Sequence, residues 1–198
     1  MNLSFSTRGW QSLGWDEIIE IADEMRFSGI ELYNVQKRPE LTEKGCPLHK
    51  HSTAATVRNL RERGIKIPCL DSSIDISVSG NSGSVKELID TAHNLKVPYV
   101  CAVALNDCEE TVKASVSELI SYAEEVDVVL LIKTSGIYSD TARLRSLMDE
   151  FASDNLGALW DMHHPYRDFN ETADTTIKNL GTYVKHVHLR DSDDQDTY

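Results

Sequence analysis

The sequence has no apolar run approaching the roughly 18 residues that span a bilayer. Its opening stretch, Met1-Asn2-Leu3-Ser4-Phe5-Ser6-Thr7-Arg8, also lacks the charged-then-apolar order of a secretion signal. A chain that folds in water is expected, and a cytoplasmic one. Basic residues are few, 20 against 32 acidic ones, for a formal charge of -12. That surplus repels a phosphate backbone and offers no basic stripe, so neither nucleic acid nor an anionic membrane is expected as a direct partner. Cys46, Cys69, Cys101 and Cys108 include no C-x-x-C pair, which argues against a zinc knuckle or a redox dithiol and leaves reduced, structural thiols. No Gly/Ser/Pro-rich linker divides the chain. The one biased tract, Asp191-Ser192-Asp193-Asp194-Gln195-Asp196, reads as a solvated end. A single domain over residues 1–198 is therefore expected, and a 40% hydrophobic content suffices for a core that folds without staples.

What the sequence does contain is rhythm. Short β-branched or apolar runs recur about every 30 residues, each followed by a segment of helical period, as βα units feeding a parallel sheet require. Strands are expected over Leu3–Thr7, Gly29–Leu32, Lys66–Leu70, Tyr99–Ala104, Val128–Lys133, Ala158–Asp161 and His186–Leu189. Between them lie apolar stripes of helical spacing: Ile18, Ile19, Ala22 and Met25; Val112, Val116, Leu119, Ile120 and Ala123; Leu144, Leu147, Met148 and Phe151. Ser84 with Glu87, and Asp107 with Glu110, have capping-box spacing and mark two helix starts. The expected fold class is α/β, a (β/α) TIM-type barrel. An eight-unit barrel takes about 250 residues, so this one is expected to be incomplete at its C-terminus, with seven strands and the eighth unit missing. The open edges would favour a homo-oligomer. A doubly wound sheet is disfavoured because Arg8-Gly9-Trp10 is no dinucleotide loop.

Ligands of such folds meet the carboxyl ends of the strands, where the βα loops converge. Chemistry-bearing side chains stand there: Glu31 in Gly29-Ile30-Glu31-Leu32, Lys133 in Leu130-Leu131-Ile132-Lys133-Thr134-Ser135-Gly136, Asp161 and His164 in Trp160-Asp161-Met162-His163-His164-Pro165-Tyr166, and His188 in Lys185-His186-Val187-His188-Leu189-Arg190-Asp191. A carboxylate with imidazoles just beyond it and on the next strand suits Mn²⁺, Co²⁺, Zn²⁺ or Mg²⁺. His186 and His188, two apart on a strand, point to the same side. The long segment from Tyr33 to His51 falls where a βα loop covers a barrel mouth. Trp10, Trp15 and Tyr33 near that mouth either stack on a sugar ring or pack internally. His49, His51 and His93 are expected to be solvent-exposed, and Asp71 to cap the loop after its strand.

These motifs, together with Leu3-Ser4-Phe5-Ser6-Thr7 and Ile67-Pro68-Cys69-Leu70-Asp71-Ser72-Ser73, resemble the sugar phosphate isomerase/epimerase group of the xylose isomerase-like TIM-barrel superfamily, which also contains apurinic endonucleases. The resemblance implies a metal held by two glutamates, an aspartate and a histidine from four strand ends. It places Asp161 as the aspartate ligand and His188 as the histidine ligand. It also gives His164 a catalytic, substrate-contacting or additional metal-binding role, and gives Arg190 a hold on substrate oxygens. Glu31 would bind a sugar hydroxyl, aid the metal or pair with Lys133. The implied reaction is sugar or sugar phosphate isomerisation or epimerisation by proton transfer through an enediolate, on a divalent metal ion (Mn, Zn, Co or Mg).

This sequence departs from that pattern twice. Lys133-Thr134-Ser135-Gly136 stands where the family has a Glu-Thr-x-Gly stretch, and a protonated lysine cannot ligate a cation. The second glutamate belongs to the eighth strand. Impaired turnover is therefore expected, with the metal retained or lost. Two alternatives remain open. One is a non-catalytic sugar-binding or assembly remnant, in which Lys133 pairs with Asp161 or Glu31. The other is a Schiff-base aldolase using Lys133, whose surroundings are similar to the lysine motif of class I deoxyribose-phosphate aldolases.

Overall fold

A computed structural model describes residues 2–10, 12–33, 46–49 and 51–190. Most of the expected 33–51 loop and the acidic tail from Asp191 lie outside the described residues. The chain divides into two compact units: Met1–Ser72 with Leu95–Val97, and Ser73–Asn94 with Pro98–Tyr198. Among the described residues no helix is long and apolar enough to cross a membrane. Cys46, Cys69 and Cys101 are buried free thiols, and Cys108 is an exposed one.

In the first unit, β1 (Ser4–Ser6) runs parallel to β2 (Gly29–Glu31), with Ser4 opposite Gly29 and Ser6 opposite Glu31. Helix α1 (Trp15–Glu24) connects them, burying Ile18, Ile19 and Ala22. Its free N-terminal donors are partly met by the Glu17 carboxylate, which accepts from the Gly14 N–H at 2.7 Å. Met25, expected in the apolar stripe, is 60% exposed because the helix ends one residue earlier. Helix α2 (Thr53–Glu62) packs through Thr56 and Leu60.

Strand β3 (Cys69–Asp75) begins three residues later than the sequence rhythm suggests, and extends to Asp75. Pro68 explains the shift. Lys66 bridges to Gly29 on its own, and Pro68 then has no N–H with which to continue the ladder. Asp71, expected to cap a loop, therefore lies inside the strand.

The second unit carries α3 (Ser82–Leu95), β4 (Tyr99–Val103), α4 (Glu109–Val126), β5 (Val129–Lys133), α5 (Thr141–Phe151), β6 (Leu156–Asp161), α6 (His163–Phe169), α7 (Ala173–Leu180) and β7 (Val184–His188). The sheet order is β3-β4-β5-β6-β7, and β4 to β7 are parallel. Leu130, Leu131 and Ile132 are all fully buried, as both faces of a central parallel strand should be. Val112, Val116, Leu119 and Ala123 of α4 are fully buried as the stripe implied. The fold is thus α/β with seven strands among the described residues, in the order expected.

The helix starts differ from those read in the sequence. Helix α3 already begins at Ser82, which puts Ser84 in its first turn. Helix α4 starts at Glu109, and Asp107 pairs with Arg143 instead of capping. Among the described residues, side-chain caps form at Asp140, accepting from the Ala142 and Arg143 N–H groups, and at Thr172, accepting from Thr175.

After β5 the chain turns through a 3-10 segment, Gly136–Ser139, starting from Gly136 at φ 60. The Ile137 N–H donates to the Ala104 carbonyl at 3.0 Å, and a Cβ on Gly136 would collide with that same oxygen. Gly136→Ala combines a left-handed backbone with a clash against main chain, a loss of roughly 3 kcal/mol. It should lower the melting temperature by about 6–12 °C in calorimetry. Gly83→Ala in α3, where a Cβ meets nothing within 4 Å, should leave it unchanged or slightly higher.

Candidate active site

Lys133, Asp161 and His188 are the last residues of β5, β6 and β7. Lys133 pairs in register with Leu159, Leu159 with His186, and Asp161 with His188, the last two pairings following a register shift between Ala158 and Leu159. Register partners in a parallel sheet point the same way, and side chains alternate along each strand. Lys133, Leu159, Asp161, His186 and His188 therefore share one face, and Trp160 and Val187 take the other. The rings of His186 and His188 lie 5.4 Å apart and each offers a nitrogen within 4.8 Å of the other's.

Asp161 is fixed by Thr134, whose buried hydroxyl accepts from the Asp161 N–H at 2.9 Å and donates to the Asp161 carbonyl at 3.1 Å. Its carboxylate Oδ1 accepts from Arg190 Nε at 3.0 Å and from the His163 N–H at 3.2 Å. Burial by itself would raise the Asp161 pKa. The charge of Arg190, then those of His164 and Lys133, and the Arg190 hydrogen bond outweigh burial and hold it below the ordinary aspartate value.

Arg190 reaches a second partner, its Nη2 standing 2.7 Å from His164 Nε2. On the far side of the ring, His164 Nδ1 lies 3.2 Å from Asp168 Oδ2, which accepts from the Ser139 hydroxyl at 2.8 Å. Burial lowers the His164 pKa. The Asp161 charge opposes this, Arg190 adds to it, and Asp168 opposes it again, leaving the value below that of free histidine.

Of the residues singled out in the sequence, Lys133, Asp161, His164, His188 and Arg190 all belong to the second unit. Lys133 is 3% exposed, and its charge acts on Asp161. Arg190, expected to hold substrate oxygens, has its guanidinium on Asp161 and His164. Glu31 ends β2 in the first unit and is buried. There too, Arg8 lies 3.7 Å from the fully buried Asp71 and 4.6 Å above the Tyr33 ring, and Trp10 packs on Phe5. His51 and His93 are exposed as expected, while His49 is half-buried.

Sequence reasoning missed Thr134, Ser139 and Asp168. The four-residue spacing of His164 and Asp168 was a usable signal once a helix was assigned there. Thr134 matches the threonine of the Glu-Thr-x-Gly stretch, which marks the position but not its bond to Asp161, and Ser139 had no signal, since its partner comes from another helix.

An aspartate and an imidazole registered at adjacent strand ends form a donor set that a divalent cation can use, so the side chains fit a metal in kind. The charge around them is that of a carboxylate already matched by a guanidinium.

No curated protein matches this chain in sequence. Solved structures do. The 3-keto-D-glucoside 4-epimerase of E. coli superposes with a TM-score of 0.78 at 13% identity, over 96% of this chain and 79% of that one. IolI protein with a bound zinc atom gives 0.79 at 20% identity, over 98% and 74%. The D-allulose 3-epimerase of Methylomonas sp. gives 0.71 at 15% identity, over 95% and 72%. At these identities the likeness is one of fold. The family model for the xylose isomerase-like TIM barrel matches residues 13–197, nearly the whole sequence including every strand-end residue of the second unit described above. On that match the chain belongs to the xylose isomerase-like TIM barrel family.

Proposed function

We propose that this chain acts on a sugar or sugar phosphate as a divalent-metal-dependent isomerase or epimerase whose turnover is impaired. The observation that carries this reading is the register pairing of Asp161 with His188 on one face of the sheet. The family and its epimerase relatives support the substrate class. A divalent ion held by Asp161 and His188 would supply polarisation of a substrate carbonyl and the neighbouring hydroxyl, making the C–H proton of the hydroxyl-bearing carbon beside the carbonyl easier to remove. His164 Nε2 can accept from a substrate hydroxyl, and the Arg190 guanidinium can donate to a carbonyl or phosphate oxygen. Lys133 stands where the resemblance places a carboxylate. Its ammonium cannot remove a proton from carbon, and its charge opposes a cation on Asp161.

A second reading, a non-catalytic sugar-binding remnant, is favoured by one contact. Arg190 already gives the Asp161 carboxylate a cation, so guanidinium and metal are alternative occupants of Oδ1. Dialysis against Mn²⁺ or Zn²⁺ followed by metal analysis and calorimetric titration separates the two. Stoichiometric binding is expected in the native protein, with loss in Asp161→Asn and His188→Ala. In Arg190→Gln the affinity should rise by roughly tenfold, equivalent to about 1.4 kcal/mol. If neither the native protein nor Arg190→Gln holds an ion, the metal-dependent reading fails and the remnant stands. Rapid aldose–ketose turnover by the native protein would refute the impairment.

The site also sets a pH dependence. Because the folded-state pKa of His164 lies below its unfolded value of 6.5, the unfolded chain binds more protons just below that pH. The stabilisation is present above pH 6.5 and is lost as pH falls through the folded value. Asp161 behaves likewise at lower pH. Its contribution is full above 3.8 and is lost as pH falls through its depressed folded value. Urea unfolding between pH 8 and 5 should show stability falling with acidification, with a shallower slope in His164→Gln. An unchanged slope would remove His164 as a source.

We further propose association through β7, the last strand of its sheet order among the described residues. Val187 is 42% exposed and Leu189 72%. Sedimentation should show a homo-oligomer that Leu189→Asp shifts towards monomer; a monomeric native protein would end this proposal.

A further inference from the structure

We infer that Asp168 is a positioning residue that locks His164 in the neutral form protonated on Nδ1, so that Nε2 is kept as a hydrogen-bond acceptor at the Asp161 end of β6. The inference begins with Arg190. A guanidinium carries five N–H donors and no acceptor. With Arg190 Nη2 at 2.7 Å, His164 Nε2 must be the nitrogen with a lone pair. The ring proton is then on Nδ1, which faces Asp168 Oδ2 at 3.2 Å.

Asp168 is poised to impose this choice. It follows His164 by four residues in α6, so one helical turn places both on the same face. Its Oδ2 is also held by the hydroxyl of Ser139, a fully buried residue at the end of the 3-10 turn after β5. Donors and acceptors then alternate without conflict: Ser139 donates to Asp168, His164 Nδ1–H donates to Asp168, and Arg190 donates to both His164 Nε2 and Asp161. The opposite tautomer would set Nε2–H against the N–H of Arg190 and turn the Nδ1 lone pair towards the Asp168 carboxylate, breaking both contacts. An i,i+4 pair serving helix stability alone would impose no such polarity.

The consequence for chemistry deepens the function proposed above and rests on it. When a ligand draws Arg190 away, the vacated Nε2 can accept only from a donor. A sugar hydroxyl qualifies, whereas a phosphate or carboxylate oxygen does not. Asp168 would thus confer hydroxyl specificity on this position, with Arg190 left for the substrate's anionic or carbonyl oxygen.

The test is a long-range ¹H–¹⁵N correlation spectrum of the full chain at pH 7.5, with the His164 ring assigned by loss of its signals in His164→Gln. The native protein should show a protonated-type shift at Nδ1 and a lone-pair-type shift at Nε2. Asp168→Ala should move the ring towards the Nε2–H form that a free histidine side chain prefers, Asp168→Asn should keep the native pattern because its amide oxygen still accepts, and Ser139→Ala should give a smaller shift in the direction of Asp168→Ala. An Nε2–H tautomer or an imidazolium in the native protein overturns the inference even if no variant folds, as does a native pattern in Asp168→Ala. The spectrum reads the ring without metal or sugar, so failure of the metal titration leaves this result standing, and failure here leaves the titration untouched.

Discussion

The constraint on which this site depends is the burial of the Asp161 carboxylate at the end of β6. A lone ionised carboxylate there would be several kcal/mol out of place, roughly what effective desolvation takes from an unpaired ion. Two features resolve it. The Thr134 hydroxyl binds the Asp161 backbone on both its N–H and carbonyl sides, holding the strand end still. The carboxylate then meets Arg190, which arrives from just past β7 because the β6–β7 register sets Asp161 beside His188 two residues earlier. A shift of that register by one residue would turn His188 to the opposite face and carry Arg190 with it.

Lys133 acquires meaning from the same constraint. Its place on β5 puts it on the face of Asp161, and its charge helps hold that carboxylate ionised. An ammonium and a guanidinium therefore both bear on one buried carboxylate. Asp161 and His188 stand register-paired at adjacent strand ends with these two cationic side chains bearing on the carboxylate.

The strand ends were legible in the sequence because they follow from period. Seven apolar runs recurring about every 30 residues place the C-terminal residues of β2, β5, β6 and β7 within a residue of where they lie, and the candidate side chains sit on or just beyond those ends. What was not legible is tertiary. Pro68 moved the start of β3 through a missing N–H that only matters once Lys66 is known to lie beside Gly29. The capping-box spacings at Ser84 and Asp107 were outvoted by helices that begin elsewhere, and Asp107 went to Arg143. The register shift between Ala158 and Leu159 leaves no trace in composition, yet without it His188 would not stand opposite Asp161.

The link from backbone to site chemistry runs through Gly136. Only a residue without a Cβ can take φ 60 against the Ala104 carbonyl, and this lets the chain leave β5 in a single 3-10 turn. That turn delivers Ser139, fully buried, to the Asp168 carboxylate, and Asp168 in turn faces the His164 ring. The glycine two residues after Thr134 thus serves the same end as Thr134 itself. One fixes the strand that carries Asp161, the other the support for the imidazole beyond it, and both lie in the four-residue stretch from Lys133 to Gly136. The same short stretch thus carries a buried lysine whose charge bears on Asp161 and the two devices that hold Asp161 and the His164 ring in place, so charge and geometry are set from neighbouring positions.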